Sequence, residues 1–205
     1  MPTHPDESEK NVLEPGCARC PALVESRTCI SWGNGPTDAD VVVVGEAPGA
    51  GDPDADIWKG GNHTGFAYTS KHSGRRIRSL FESLGYADRT YYTNAVNCFP
   101  EGEDGSNREP TPEERRNCRV HLETELEAVS PDLVVTTGRH ATATLLAFDD
   151  ERLDGFLDRV LEPFDSEALD VRVLPLLHPS YQEVWLSRLG YTAEAYRDAI
   201  AEHLP

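Results

Sequence analysis

Four short apolar runs stand out from an otherwise polar chain: DVVVVGEAPG (40–49), RTYYTNAVNC (89–98), PDLVVTTG (131–138) and VRVLPLLHPS (171–180). Each is nearly continuous rather than alternating, and each is rich in β-branched or aromatic residues. That is the pattern of a strand covered on both faces. The stretches between them repeat at helical spacing. RRIRSLFESLG puts Ile77, Leu80, Phe81 and Leu84 on one face, with Ser73 as a start cap and Gly85 as a stop. TPEERRNCRVHLETELEAV opens on Thr111 with Pro112 in the first turn; its stripe is Cys118, Leu122, Leu126 and Val129. RHATATLLAF follows Gly138, and a last helix near 192–204 aligns Ala193, Tyr196, Ile200 and Leu204. Strands alternating with helices predict an α/β fold with a largely parallel sheet. Residues 1–13 read as a loose acidic tail, and 14–205 as one domain without linker or repeat.

Ligands of open parallel sheets bind outside the carboxyl ends of the strands. Here those ends carry Gly45, Glu46, Ala47, Pro48 and Gly49, then Asn94, then Gly138, then His178, Pro179 and Ser180. Polar and glycine-rich residues thus gather at one edge, and this convergence locates the site better than any single motif.

Composition narrows the setting. There is no run of about 18 apolar residues to cross a membrane, and the polar start MPTHPDESEKN is no secretory signal. A cytoplasmic protein is expected. Lasting disulfides are disfavoured there, so five cysteines suggest metal or redox chemistry. The net charge is −17, with three lysines against sixteen arginines and with acids spread along the chain. A solvated acidic surface adapted to concentrated salt fits that balance and points to a halophilic source. Such a charge opposes phosphate binding at ordinary ionic strength. In molar salt the repulsion is screened within a few ångströms, so charge does not decide the partner.

The candidate chemistry begins with CARC, where Cys17 and Cys20 are separated by two residues. Cys98 lies past the second strand and Cys118 on the next helix. Four thiolates from three places can close a tetrahedral zinc site or hold a cubane cluster, and spacing does not separate the two. Cys118 sits on an inward stripe, so it also reads as a small buried hydrophobe, as does Cys29. GEAPG makes a tight turn whose backbone N–H groups can face a ligand, although such turns are commonly plain turn chemistry. The long polar loop after it holds Asp52, Asp54 and Asp56. Tyr68, in HTGFAYTSKHSG, either stacks on a planar ligand or packs under its loop. Lys71, His72, Arg75, Arg76 and Arg78 surround a helix start, where they suit a phosphate or form a solvated face. Asn94 carries donor and acceptor together and can read the amide edge of a base, or it satisfies strand-end backbone. His178, stiffened by Pro179, can donate to a developing oxyanion, though a lone histidine is more often structural.

Taken together and in this order, CARC, VVVVGEAPG, HTGFAYTSKHSG, YYTNAVNC, NREPTPEERRNC, DLVVTTG and LLHPSY resemble the iron–sulfur uracil-DNA glycosylases of the thermostable archaeal and bacterial type, families four and five. The likeness runs from about Cys17 to the C-terminal helix. It implies a three-layer fold with a central four-stranded, mostly parallel sheet flanked by helices. It also implies a [4Fe–4S] cluster on Cys17, Cys20, Cys98 and Cys118, structural rather than catalytic, with Cys29 left as a free thiol. The implied reaction is excision of uracil, flipped out of DNA into the pocket. Tyr68 matches a stacking Phe, Asn94 the reader of the uracil edge, and His178 the residue that stabilises the departing anion. Gly45, Glu46, Ala47, Pro48 and Gly49 shape the pocket, with Glu46 placing or activating water, and Ser180 belongs to the substrate-binding set. Tyr181 and Arg188 follow in a segment that enters the duplex. The 50–63 loop is longer than in either family, so it leaves open whether one of its aspartates activates water. TGFAYTS resembles the broader-specificity family, whereas GEAPG and TNAVNC resemble the stricter one. Uracil in DNA is therefore the expected substrate, with other deaminated bases open, and the protein is expected to act as a monomer. Two other classes compete: a non-catalytic iron–sulfur or zinc nucleic-acid-binding protein on the same scaffold, and an unrelated nucleotide-binding protein with a zinc site.

Overall fold

The computed structural model describes residues 2–205. The four apolar runs form β3 (Val41–Gly45), β4 (Thr90–Asn94), β5 (Leu133–Thr137) and β7 (Val171–Leu176). They lie side by side in the order β4-β3-β5-β7, all parallel. Every residue of the first three is buried, as continuous apolar runs require.

The four expected strands are the parallel centre of a larger mixed sheet. Three short antiparallel strands extend it: β1 (Lys10–Asn11) and β2 (Gly33–Asn34) beyond β4, and β6 (Phe164–Ser166) beyond β7. Strands of two or three residues are too short to show a periodicity. β1 lies inside the segment expected to be a loose tail. Lys10 and Asn11 pair with Asn34 and Gly33, giving the backbone groups of that edge their partners. Asp6 caps the turn before it, and Met1 lies outside the described residues.

Alternate residues of each strand feed two cores, as the two-residue strand period demands. Val41, Val43, Tyr92, Val135 and Leu174 pack against Ile77 and Phe81 of α3 (Ser73–Ser83), Leu186 of α6 (Gln182–Leu189), and Tyr196 and Ile200 of α7 (Ala193–Ala201). Val42, Val44, Tyr91 and Val134 face the other way. They meet Leu122, Leu126 and Val129 of α4 (Pro112–Val129), and Ala141 and Leu145 of α5 (Arg139–Leu146). The result is the expected helix–sheet–helix sandwich. A third, smaller cluster gathers Leu23 of α1 (Pro21–Ser26), Ile30, Trp32, Val96 and Cys98.

The helix ends mostly follow the predicted chemistry. Thr111 and Glu114 form a reciprocal capping box at the start of α4. The start of α3 differs: Ser73 is its first residue rather than its cap. Ser70 supplies the side-chain acceptor, receiving the Gly74 N–H at 2.9 Å. The one-turn helix α2 (Gly61–Thr64) leads into the Tyr68 loop.

Glu125 is an ionisable group built into the contact of α4 with the sheet. It is 0% exposed. Its carboxylate accepts from the Gly33 N–H at 3.1 Å, the Tyr91 hydroxyl at 3.0 Å and the Thr93 hydroxyl. Burial pushes its pKa up to about 7, against the opposing pull of those three donors.

Candidate active site

The carboxyl edge of the sheet is built around the absence of a side chain at Gly45. A Cβ there would lie 2.5 Å from Asn94 Oδ1 and 2.8 Å from the Tyr68 hydroxyl oxygen. Only glycine lets these two groups converge over the end of β3. The GEAPG turn is then tied to the segment after β4: Ala95 N–H donates to Gly45 O at 2.8 Å and Val96 N–H to Glu46 O at 2.9 Å.

Tyr68 holds a left-handed backbone, φ 55°, which a bulky residue adopts only when its surroundings enforce it. Three contacts do so. Its ring centroid lies 5.7 Å from that of Tyr92, its hydroxyl is 2.6 Å from Thr137 Oγ1, and Arg78 Nε donates to its carbonyl at 3.0 Å. Burial raises the phenol pKa, so the hydroxyl stays neutral. Tyr68 thus both packs under its loop and lines the cavity.

His178 follows β7. The Ser180 N–H donates to its Nδ1 at 3.2 Å. In the neutral ring the proton must then sit on Nε2, which is left as a donor. Burial first, and His140 nearby second, lower its pKa, so the ring is neutral at pH 7. It packs on Gly138, at φ +93°, where a Cβ would lie 3.1 Å from its own Cβ.

The segment 100–110 covers this edge from the side. Asn107 Oδ1 accepts from the Ala50 N–H at 3.0 Å, and Arg108 grips Glu114 with two bonds of 2.7 and 2.6 Å. Glu109 reaches His140 in the first turn of α5, with Oε1 and Nε2 3.0 Å apart. Burial raises the Glu46 pKa; His140 and Arg115 pull it down, and Glu109 adds to the rise.

These groups enclose a cavity of about 520 Å³ lined by Gly45, Glu46, Ala47, Pro48, Gly49, Tyr68, Asn94 and His178. Eight of the nine non-metal candidates therefore share one wall. Ser180 is the ninth, and its part is the backbone N–H that orients His178. Asp52, Asp54 and Asp56 do not line the cavity, which leaves Glu46 and Glu109 as its carboxylates. Thr137, His140, Glu109 and Trp185 are lining residues that sequence reading did not single out. Thr137 and His140 flank the strand-end Gly138, so their position was a usable signal; Glu109 arrives from a distant loop with none. The basic group at the start of α3 turns partly inward. Arg78 donates to Tyr68 O and Ala67 O, and Arg76 to Pro179 O at 3.1 Å and Glu183 at 3.0 Å.

The four candidate metal-ligating cysteines gather at the third core cluster. None of them is in a disulfide. Burial raises the pKa of Cys20, Cys98 and Cys118, the last to about 12, and the neighbouring cysteines raise each further. Every one of the four sulfurs has a donor: Arg19 Nη1 to Cys17 at 3.3 Å, Asn117 Nδ2 to Cys20 at 3.5 Å, Arg27 Nη1 to Cys98 at 3.1 Å and Asn97 N–H to Cys118 at 3.3 Å. Asn97, beside Cys98, is 1% exposed and its side-chain Nδ2 and Oδ1 have no partner. Four clustered thiols, a donor to each and an unsatisfied buried amide fit a thiolate-bound cluster. Glu14, Cys17 and His121 also lie close enough to share an ion. The Arg19 guanidinium already bonds Glu14 and Cys17 and lies 3.4 Å from His121, so a cation fills that niche. Cys29 stands apart, its thiol 3.1 Å from the Asn62 carbonyl.

The chain is similar to known proteins. A model of the uracil DNA glycosylase superfamily matches residues 32–204. A type-5 uracil-DNA glycosylase of Pyrobaculum aerophilum is 32% identical over 91% of this chain and 88% of its own length. Type-4 uracil-DNA glycosylases of Archaeoglobus fulgidus and Thermotoga maritima are 32% and 31% identical, each over 80% of this chain and 76% and 77% of their own lengths.

Proposed function

The chain belongs to the uracil DNA glycosylase superfamily, and from that membership we propose that it hydrolyses the N-glycosidic bond of uracil in DNA, leaving an abasic site. The observation that carries this reading is the convergence of Glu46, Tyr68, Asn94 and His178 on one cavity of about 520 Å³ at the carboxyl edge of the sheet. A flipped base fits such a space. The Tyr68 ring offers it a face, and the Asn94 amide matches the carbonyl and N–H of its edge. As the C1′–N1 bond breaks, its electron pair leaves with the uracil. The neutral His178 donates from Nε2 to the charge that develops on the base oxygen; a neutral donor is already in place when that charge appears. Water bonds to C1′, and Glu46 takes the proton it releases.

Cys17, Cys20, Cys98 and Cys118 would hold a [4Fe–4S] cluster, which supplies cross-linking of three chain segments rather than a reaction step. Ala47 packs against that region and also lines the cavity, so bracing there steadies the pocket. The acidic surface suits work in concentrated salt on uracil-containing DNA, as a cytoplasmic monomer. Among the described residues no helix is long and apolar enough to cross a membrane.

The test is release of free base from DNA carrying uracil, hypoxanthine or xanthine, assayed from low to molar salt. Uracil release is expected, and His178→Ala should slow it by about 10²–10³-fold, the scale for losing one such donor. No release of any base by protein with its cluster intact would overturn the reading.

A further inference from the structure

Arg78 lies one turn after Gly74 on the same face of α3, and that face meets the Tyr68 backbone. A Cβ at Gly74 would lie 2.5 Å from the Tyr68 carbonyl oxygen, so the first turn of α3 closes on that oxygen. The Arg78 fork then reaches it from the next turn. Nε donates to Tyr68 O at 3.0 Å, and Nη2 donates to Ala67 O at 3.2 Å and to Asn34 Oδ1. The guanidinium carbon lies 4.1 Å from the centroid of the Tyr92 ring, and that ring is 5.7 Å from the Tyr68 ring. Asn34, 0% exposed, donates from Nδ2 to the same Ala67 O at 3.1 Å, and it pairs with Tyr92 across β2 and β4. One side chain therefore ties the carbonyls of two consecutive loop residues to the sheet.

We propose that Arg78 is a positioning residue for base binding: it holds the Tyr68 backbone in the left-handed conformation that presents the ring to the cavity. The role rests on the glycosylase reading and adds to it, since Arg78 itself lies outside the cavity lining. A tyrosine at φ 55° stays there only while its surroundings enforce it. The Thr137 hydroxyl and the Tyr92 ring hold only its side chain; Arg78 bonds its carbonyl. The task needs the planar fork. A lysine ammonium cannot serve both carbonyls while lying flat on Tyr92. Without the fork, two carbonyls lose a donor in a place closed to water. The Tyr68 backbone then relaxes towards the extended region and carries the ring away from the base.

The test measures kcat and KM for uracil release by wild type, Arg78→Met, Tyr68→Ala and the double variant. Arg78→Met should raise KM by about tenfold, within the range for losing one base–aromatic stack, and leave kcat within a few-fold. In the Tyr68→Ala background the same change should move KM by less than about twofold, because the ring that Arg78 positions is gone. A rise of the same size in both backgrounds, or none in the wild-type background, would overturn the proposal, as would a loss confined to kcat. The NMR cross-relaxation between the Tyr68 ring and the Thr137 methyl reads the ring's placement without turnover. It should weaken several-fold in Arg78→Met, and an unchanged contact would overturn the proposal. If Arg78→Met does not fold, Arg78→Lys takes its place in both measurements. Absence of uracil release in wild type counts against the glycosylase reading, while the NMR contact still decides the role of Arg78.

Discussion

Glu125 is wholly buried between α4 and the sheet, and its pKa is pushed up to about 7 from an ordinary 4.5. Glu125→Gln removes the titration while keeping the shape, and the amide oxygen can still accept from Gly33 and Tyr91. The sign follows from proton uptake. Below pH 4.5 the carboxyl is protonated in both folded and unfolded chains. Between 4.5 and 7 the unfolded chain ionises and the folded one does not, so stability conferred by the neutral form falls as pH rises. Each pH unit of difference is worth about 1.4 kcal/mol. From pH 5 to pH 8, wild type should therefore lose about 2–3 kcal/mol relative to Glu125→Gln. Denaturant unfolding followed by tryptophan fluorescence, at fixed high salt, measures both proteins; Trp32, 4% exposed, reports the fold. Taking the difference between the two cancels the thirty-five other acidic side chains. A difference that stays flat across this range would mean that the three donors hold the carboxylate ionised, and the reasoning would fail.

Gly45→Ala should force apart Asn94 and Tyr68, costing about 1–3 kcal/mol of stability and at least tenfold in kcat/KM for uracil release; unchanged kinetics would show that the two groups need not converge. Tyr68→Phe removes only the hydroxyl bonded to Thr137, so a loss of about 1 kcal/mol in unfolding free energy with rates within a few-fold of wild type is expected. Cys118→Ser should lower the iron content and the visible absorbance of the purified protein, whereas Cys29→Ser should leave both as they are; equal loss in the two would refute the ligand set. Raising salt from 0.1 M towards molar should speed base release rather than suppress it, because screening weakens repulsion between DNA and a chain of charge −17; a steady fall instead would contradict the reading of its surface.

What the sequence determined by itself was whatever local spacing encodes. Continuous apolar runs specified the four parallel strands, because a strand buried on both faces has no polar side to show. The three-to-four-residue stripe of α4 and the Thr111 box specified that helix and its start. Strand ends then placed Gly45, Asn94 and His178 on one edge, since parallel strands point their carboxyl ends the same way. The clustering of CARC with Cys98 and Cys118 came from resemblance rather than spacing. The tertiary structure decided what depends on where distant segments meet. β1, β2 and β6 exist because an edge supplies partners to two or three residues that could form no strand alone. Arg78 looks like a surface cation beside Arg75 and Arg76, yet it turns inward because the carbonyls of Ala67 and Tyr68 need a donor there. Ser180 carries a plausible hydroxyl, but its backbone N–H is what touches His178. Glu109 meets His140 thirty-one positions further along the chain. No local pattern records such a contact, because it is created by the path of the covering loop and the charge that loop delivers.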